Sequence, residues 1–308
     1  MRRPRGVLAI VGATATGKSS LAVEVALRLG GEIISADAFA VYRGMDAGTA
    51  KPSPEDRQKV PHHLVDVRDP REPFSAGEFS RLAREAARQI LGRGRLPILC
   101  GGTGFYIRTF FTGLFEGPTR DEPLRRALEA AGRRRPGLLK RMIDLLDPES
   151  GTKILLNDAA RAIRYLEIAI LTGKHPSKLF RQSPGPRWDL PSRKVLLALP
   201  RVRLYERIEQ RFHGAMSIGL PGEVGKLLED GLPVTAPGMN AIGYRETVDL
   251  VEGRIDRREW EERVIGATRR FAKRQETWFR RELDLIRVDA EREDLVDFVL
   301  AQSEPLFS

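Results

Sequence analysis

Cysteine is nearly absent. The 308 residues hold one, Cys100, so no disulfide can form within the chain, which fits a reducing compartment. Its setting, Leu96-Pro97-Ile98-Leu99-Cys100, reads as a buried strand end carrying a small hydrophobe. Histidine is scarce, at four residues. The adjacent pair His62-His63 has no further ligands at the spacing a zinc site needs, and a structural role is expected for it. Long apolar runs are missing too: nothing approaches the roughly 20 residues of a membrane span. The start, Met1-Arg2-Arg3-Pro4-Arg5 followed by Val7 to Val11, imitates a short signal peptide, but its apolar stretch runs straight into a glycine loop; the cytoplasm is the expected compartment. An Asn-Lys-x-Asp guanine signature is lacking, and no separate Walker B aspartate stands out beyond Asp37. An ordinary ATPase or GTPase therefore has no support beyond the phosphate loop described next.

What is present begins with positive charge. Lys and Arg total 52 against 42 Asp and Glu, a formal net charge of +10, which favours a polyanionic partner: nucleic acid, a diphosphate or an anionic membrane. Gly12-Ala13-Thr14-Ala15-Thr16-Gly17-Lys18-Ser19 satisfies every fixed position of the phosphate-loop pattern. The apolar run Val7–Val11 precedes it as a strand, and Leu21, Val25, Ala26 and Leu29 follow at helical spacing, with Gly30-Gly31 as the stop. Backbone N–H groups of such a loop turn toward phosphate oxygens, Lys18 adds a mobile charge, and the Ser19 hydroxyl can ligate Mg²⁺. The loop announces a diphosphate or triphosphate without saying that it is a nucleotide.

Glu32–Ala36 reads as a second strand, Phe79 to Leu91 as a helix, and Ile98-Leu99-Cys100 as a third strand ending at Gly101-Gly102-Thr103. The fold expected is α/β, a parallel sheet of the phosphate-loop NTPase kind with flanking helices. Helical patterns alone run from about Thr119 to Arg187, with Asn157-Asp158 as a cap and Gly173 as a stop, and Pro184-Gly185-Pro186 as a linker. Lys194–Leu199 returns to a strand, and the chain from Arg203 onward reads as mostly helical. The division predicted is 1–118 for the first part of the core, 119–190 for an inserted helical domain, and 191–308 for the rest of the core and a C-terminal helical region. Strands of a parallel sheet end on one edge, where ligands bind. Asp37 and Thr103 are thereby expected beside the diphosphate, where a carboxylate is unfavourable unless it binds metal or takes a proton.

Longer strings extend the reading: Ile34-Ser35-Ala36-Asp37, Val41-Tyr42-Arg43-Gly44-Met45-Asp46, Gly48-Thr49-Ala50-Lys51-Pro52, Pro61-His62-His63-Leu64-Val65-Asp66, Gly101-Gly102-Thr103-Gly104-Phe105-Tyr106, Arg207 to Phe212, Ala241 to Glu246 and Ala267 to Gln275. Together with the phosphate loop these resemble the tRNA dimethylallyltransferase (tRNA isopentenyltransferase) family, from about residue 6 to about residue 282. The resemblance implies transfer of a dimethylallyl group from its diphosphate to the exocyclic amine of the adenine 3′-adjacent to the anticodon. It implies Asp37 as the base, Thr103 near the reacting centre, and Arg211 gripping the donor's diphosphate together with residues 12–19. Contacts to tRNA are implied for Asp37, Ala38, Phe39, Ala40, Thr103, Arg125, Arg161, Arg164, Gly243, Tyr244, Arg245, Lys273, Arg274 and Arg280. Two positions depart: where the family often has a serine and a glutamine after the aspartate, this chain has Ala38 and Ala40. The zinc finger of some eukaryotic members is not expected in a sequence with one cysteine.

Read on its own, the segment from Ala267 carries Arg269, Arg270, Lys273, Arg274, Arg280 and Arg281 against the single acid Glu276, with aromatics interleaved, a footprint suited to RNA backbone and loop bases. Tyr42, Phe105 and Tyr106 are candidates to stack on a target base, core packing being the plainer reading for the last two. Arg207 is read as either a functional neighbour of Arg211 or a surface partner of Glu206 or Glu209. The partners expected are the anticodon stem-loop of tRNA, dimethylallyl diphosphate and Mg²⁺, with no membrane and a monomeric chain. A small-molecule kinase, a prenyltransferase of free adenine nucleotides and a non-enzymatic RNA-binding module are the competing readings.

Overall fold

The computed structural model describes residues 3–49, 51–115, 117–182 and 185–308, with the backbone alone for Ala215. Readings that touch Met1, Arg2, Ala50 and Pro184 lie outside the described residues. The chain divides into two compact units, Met1–Phe111 with Trp188–Ser308, and Thr112–Arg187. The breaks fall earlier than 118 and 190. Trp188 donates its backbone N–H to Phe111 O (2.9 Å) and packs its ring on Phe110, with centroids 4.8 Å apart, so both ends of the first unit are fastened together there.

The first unit is a six-stranded, wholly parallel sheet in the order β3-β2-β4-β1-β5-β6. Its strands are β1 Val7–Gly12, β2 Gly31–Ser35, β3 His62–His63, β4 Leu96–Gly101, β5 Ser192–Ala198 and β6 Ile286–Asp289. Parallel strands need crossovers, and here those include α1 Lys18–Leu29, α2 Pro54–Lys59, α3 Ala76–Gly92 and α4 Gly104–Thr112. Helices therefore cover both faces, and the central strands are apolar throughout rather than alternating. Val7, Ala9 and Val11 face Phe79, Ala83 and Ile90 of α3; Leu8 and Ile10 face Leu21 and Val25 of α1. Each large side chain so buried contributes about 1.5–3 kcal/mol.

The second unit holds α5 Glu122–Arg134, α6 Leu138–Leu146, α7 Pro148–Gly151, α8 Ala159–Thr172 and α9 Pro176–Gln182. Its core joins Leu128, Leu139, Ile143, Ile154, Ile163 and Leu166. The Asp158 side chain caps α8 by accepting from Arg161 N, and Gly173 closes it with a left-handed φ of 65°. Leu146, the last member of the apolar stripe on α6, is 46% exposed, because α6 ends there.

After β5 the first unit continues with α10 Arg201–Arg211, a π-type turn over Phe212–Met216, α11 Ser217–Glu229, α12 Tyr244–Val251, α13 Arg257–Arg280 and α14 Leu295–Ser303. Two strands escaped the sequence reading. β3 has two residues and β6 has four, Ile286-Arg287-Val288-Asp289, with only Val288 buried; both are edge strands too short to show a run. His63 Nε2 hydrogen bonds Glu32 Oε2 (2.7 Å), and Glu32 also accepts from Arg93 Nη2 (2.8 Å), which gives that histidine a structural role. Among the described residues no helix is long and apolar enough to cross a membrane.

Candidate active site

The C-terminal ends of β2, β4 and β1 are neighbours in the sheet, so their loops share one edge. At the end of β1 the phosphate loop curls back on itself. Thr16 Oγ1 donates to Ala13 O (2.9 Å), and Gly17 takes φ 87°, a value that favours glycine, to start α1. Lys18 Nζ donates to Ala13 O (3.0 Å). Ser19 is exposed in the first turn of α1. From α10, Arg211 Nη1 donates to Thr14 Oγ1 (3.0 Å). Burial lowers the pKa of both Lys18 and Arg211 from their ordinary values, and the negative charge of Asp37 opposes that fall at each. The loop is thus flanked by two recessed cations bonded to neutral oxygens.

Asp37 follows β2. Its Oδ1 accepts from Phe39 N (2.8 Å) and Ala40 N (3.2 Å), an Asx-type turn that fixes the carboxylate's orientation and leaves Oδ2 without a share in those bonds. Thr103 follows β4: its N–H donates to Ala36 O (3.2 Å), and its Oγ1 accepts from Ala38 N (3.1 Å). The loops after β2 and β4 are therefore stitched to each other. Cys100, beneath them, is buried, and burial pushes its thiol up to about 11. It packs as a hydrophobe.

Lys18, Ser19, Asp37, Thr103 and Arg211 all line one cavity of about 600 Å³. Ala38, Phe39 and Ala40 line it as well, as do Arg274 and Trp278 of α13. Lys273 and Arg280 lie outside the lining but are exposed on the same helix. The fold thus gathers these residues from five separate stretches of chain.

Other marked residues do different work. Tyr244 is fully buried, and its hydroxyl donates to Glu223 Oε1 (2.5 Å) while Glu223 Oε2 accepts from Asp46 N (2.8 Å) and Ala47 N (2.9 Å). That side chain holds the loop at 46–48 in place through Glu223. Gly243 is buried at φ 96° as the N-cap of α12, and exposed Arg245 is bonded to Asn240. In the helical unit, Arg125 Nε (3.0 Å) and Arg164 Nη1 (2.5 Å) both donate to Glu167, which is 0% exposed. They brace that unit from within. Arg161 remains exposed, donating to Lys153 O (3.2 Å). Tyr42 and Tyr106 are too buried to stack on a base, at 4% and 6% exposure; Tyr106 stacks on Phe79 instead, 4.3 Å between centroids. Phe105 is exposed and meets Trp278 edge-on. Arg207 pairs with Glu291 (3.0 Å), not with Glu206 or Glu209, because the loop after β6 brings that acid alongside α10.

Two residues went unremarked as individuals. Trp278 lines the cavity with Arg108 stacked over its ring at 4.3 Å. Gln275 is buried and hydrogen bonded to two loops of the site. A signal was available for Gln275: it shares a helical stripe with the buried Val264, Ala272 and Phe279, and a polar residue on an apolar stripe needs internal partners.

A divalent metal would find few protein ligands. Among the described residues no group of three or more His, Cys, Asp or Glu could hold one. The Ser19 hydroxyl on the cavity wall suits an ion that arrives with a diphosphate, since Mg²⁺ takes one or two protein oxygens and completes its shell with phosphate and water.

The profile of the IPP transferase family matches residues 40–282. A tRNA dimethylallyltransferase of Halorhodospira halophila is 44% identical over 288 residues, 92% of this chain and 93% of its own length. That of Thermotoga maritima is 41% identical over 276 residues, 89% of each. Among solved structures, the full-length tRNA isopentenylpyrophosphate transferase of Bacillus halodurans is similar with a TM-score of 0.71 at 36% identity, over 98% of both chains. A eukaryotic dimethylallyltransferase acting on tRNA has a TM-score of 0.82 at 26% identity, over 97% of this chain and 77% of that one. A phosphate loop, a fixed carboxylate and a recessed arginine around one cavity, joined to a match of that extent, place this chain in the IPP transferase family.

Proposed function

We propose that the protein transfers a dimethylallyl group from dimethylallyl diphosphate to the exocyclic amine of the adenine 3′-adjacent to the anticodon in tRNA, releasing diphosphate. The observation that carries this reading is the single cavity in which Lys18, Ser19 and Arg211 adjoin Asp37 and Thr103, with Arg274 and Trp278 of the basic helix α13 on its wall. The names of the relatives support the same reaction.

The chemistry follows from the residues. The allylic carbon–oxygen bond breaks, a carbon–nitrogen bond forms, and the amine loses one proton. An adenine amine is a poor nucleophile because its lone pair is delocalised, so a base must take that proton as the bond forms. Asp37 is the base, with Oδ1 held by Phe39 N and Ala40 N and Oδ2 left to receive the proton. Lys18 releases Ala13 O to meet the departing diphosphate, and Arg211 meets it from α10. The Ser19 hydroxyl would hold a Mg²⁺ ion arriving with the diphosphate, and that ion would supply charge neutralisation to the leaving group. The Thr103 hydroxyl accepts from Ala38 N, which leaves its own proton to donate to the reacting groups. Loop bases are unstacked at lower cost than bases in a duplex, so an anticodon loop suits a cavity that must admit one base. Ala38 and Ala40 contribute no side-chain hydrogen bond to that base, so recognition shifts toward stacking surfaces such as Phe39 and Trp278.

The test is a transfer assay with labelled dimethylallyl diphosphate, Mg²⁺ and unmodified tRNA bearing adenine beside the anticodon, with AMP and ATP in parallel. Label in tRNA alone is the expected result. Label in the free nucleotide, or in nothing, overturns the proposal.

A further inference from the structure

The side chain of Gln275 occupies a place where an apolar residue would be expected. It is 6% exposed on the buried stripe of α13. A buried amide is costly unless both ends are bonded, and both are. Oε1 accepts from Thr14 N (2.8 Å), and Nε2 donates to Gly102 O (2.9 Å). Thr14 is the third residue of the phosphate loop, and its hydroxyl is held by Arg211. Gly102 adjoins Thr103. One amide thus fastens the loop after β1 and the loop after β4 to a single helix.

The glycines around it report how closely that helix is pressed on. A Cβ at Gly102 would collide with Gln275 Nε2, and one at Gly104 would collide with the Trp278 ring. Both glycines are explained by the approach of α13. Gln275 borders the cavity between Arg274 and Trp278, with its amide turned to the two loops, and Lys273 is exposed.

We infer that Gln275 is a positioning residue: it sets the shape of the diphosphate site by pinning Thr14 and Gly102 to α13, without touching the reacting atoms. This rests on the transferase reading for its effect on turnover, but its effect on diphosphate binding stands apart from that reading. The Thr14 N–H is committed to Gln275 and is not among the donors that a phosphate can use, so the loop's remaining amides are aimed by this anchor.

The test compares Gln275→Met, which keeps the length and removes both bonds, with Gln275→Glu. At neutral pH the glutamate still accepts from Thr14 N but sets a second oxygen against Gly102 O. Once protonated it can donate to Gly102 O and restore the pair. In the Met variant the KM for dimethylallyl diphosphate and the Kd for inorganic diphosphate are expected to rise about tenfold, since losing both bonds loosens the loop without removing a phosphate ligand, while the KM for tRNA stays within about twofold. In the Glu variant the penalty on diphosphate binding, taken relative to the unmodified protein at each pH, is expected to shrink as pH falls from 8 to 5.5. A Met variant that binds diphosphate normally, or a Glu variant whose relative penalty does not move with pH, overturns the inference. Should the Met variant fail to fold, the Glu profile decides alone. Failure of the unmodified protein to prenylate tRNA would sink the transferase reading instead, and the diphosphate measurement would still judge Gln275.

Discussion

Glu167 in the helical unit and the Lys18–Arg211 pair in the sheet unit are both charges withdrawn from water, and they are compensated differently. Glu167 accepts from Asp121 N (2.8 Å) and from Arg125 and Arg164, and these bonds, outweighing the burial that would raise it, hold its pKa below the usual carboxylate value. Asp147 in the same unit accepts from Ser150 Oγ (2.6 Å), Ser177 N (2.7 Å) and Ser177 Oγ (2.8 Å). Lys18 and Arg211 have a carbonyl and a hydroxyl. A charge matched at every atom belongs to the architecture. A recessed cation bonded to neutral oxygens is where an anionic ligand gains more than it would in water. The same distinction separates two sets of cations that looked alike as sequence: Arg125 and Arg164 are paired with Glu167, whereas among the described residues Arg270, Lys273, Arg274, Arg280 and Arg281 have no ion-pair partner.

The comparison breaks first at Asp37. Asp37→Ala should lower single-turnover transfer by about 10²–10⁴-fold, the usual worth of a general base, with tRNA affinity within about twofold by filter binding; retained activity would remove Asp37 from the mechanism. Next is Glu167→Ala, which strands Arg125 and Arg164. It should destabilise the helical unit by about 3–5 kcal/mol, read from urea unfolding followed by probes in each unit, and an unshifted transition would show that the brace is idle. Smaller is the effect of replacing Lys273 and Arg274 by Ala: tRNA affinity should fall about tenfold, with a salt-dependence slope reduced by roughly 1.5, while Arg125→Ala leaves that slope alone. Equal slopes for the two variants would erase the distinction between brace and contact.

The smallest effect is one of pH. Burial alone would raise the Asp147 pKa, but hydrogen bonds from Ser150 and Ser177 outweigh it and hold the group at about 2, below the ordinary 3.8. A folded pKa below the unfolded one gives stability that is fully present above 3.8 and lost as pH falls toward 2. Unfolding of the helical unit should therefore become easier between about pH 4 and pH 2, and Asp147→Asn should flatten that slope while lowering stability at neutral pH. A variant with the same acid profile would assign the sensitivity to other carboxylates.

The phosphate loop, Asp37 and Thr103 were legible as neighbours because each lies at a strand terminus, whereas Arg211 rested on the family resemblance of the string around it. The cap and stop of α8 were legible from Asp158 and Gly173 themselves. What escaped depended on pairs far apart in the chain. Nothing near Arg125 says that Glu167 will meet it, and nothing near Tyr244 says that its hydroxyl will be spent on Glu223. Gln275 reaches Thr14 across 261 positions. The edge strands β3 and β6 take their identity from pairing with a neighbour, not from their own composition.

The position of β1 between β4 and β5 bears on how the protein is made. During synthesis β1 can pair with β4 once α3 and β4 have followed it out. Its other neighbour, Ser192–Ala198, follows only after the whole of Thr112–Arg187, and the anchor of its phosphate loop, Gln275, comes later still. The loop is thus made well before the last residue that holds its shape. A nascent chain arrested before α13 would carry five of the six strands and a phosphate loop still without its bond to Gln275.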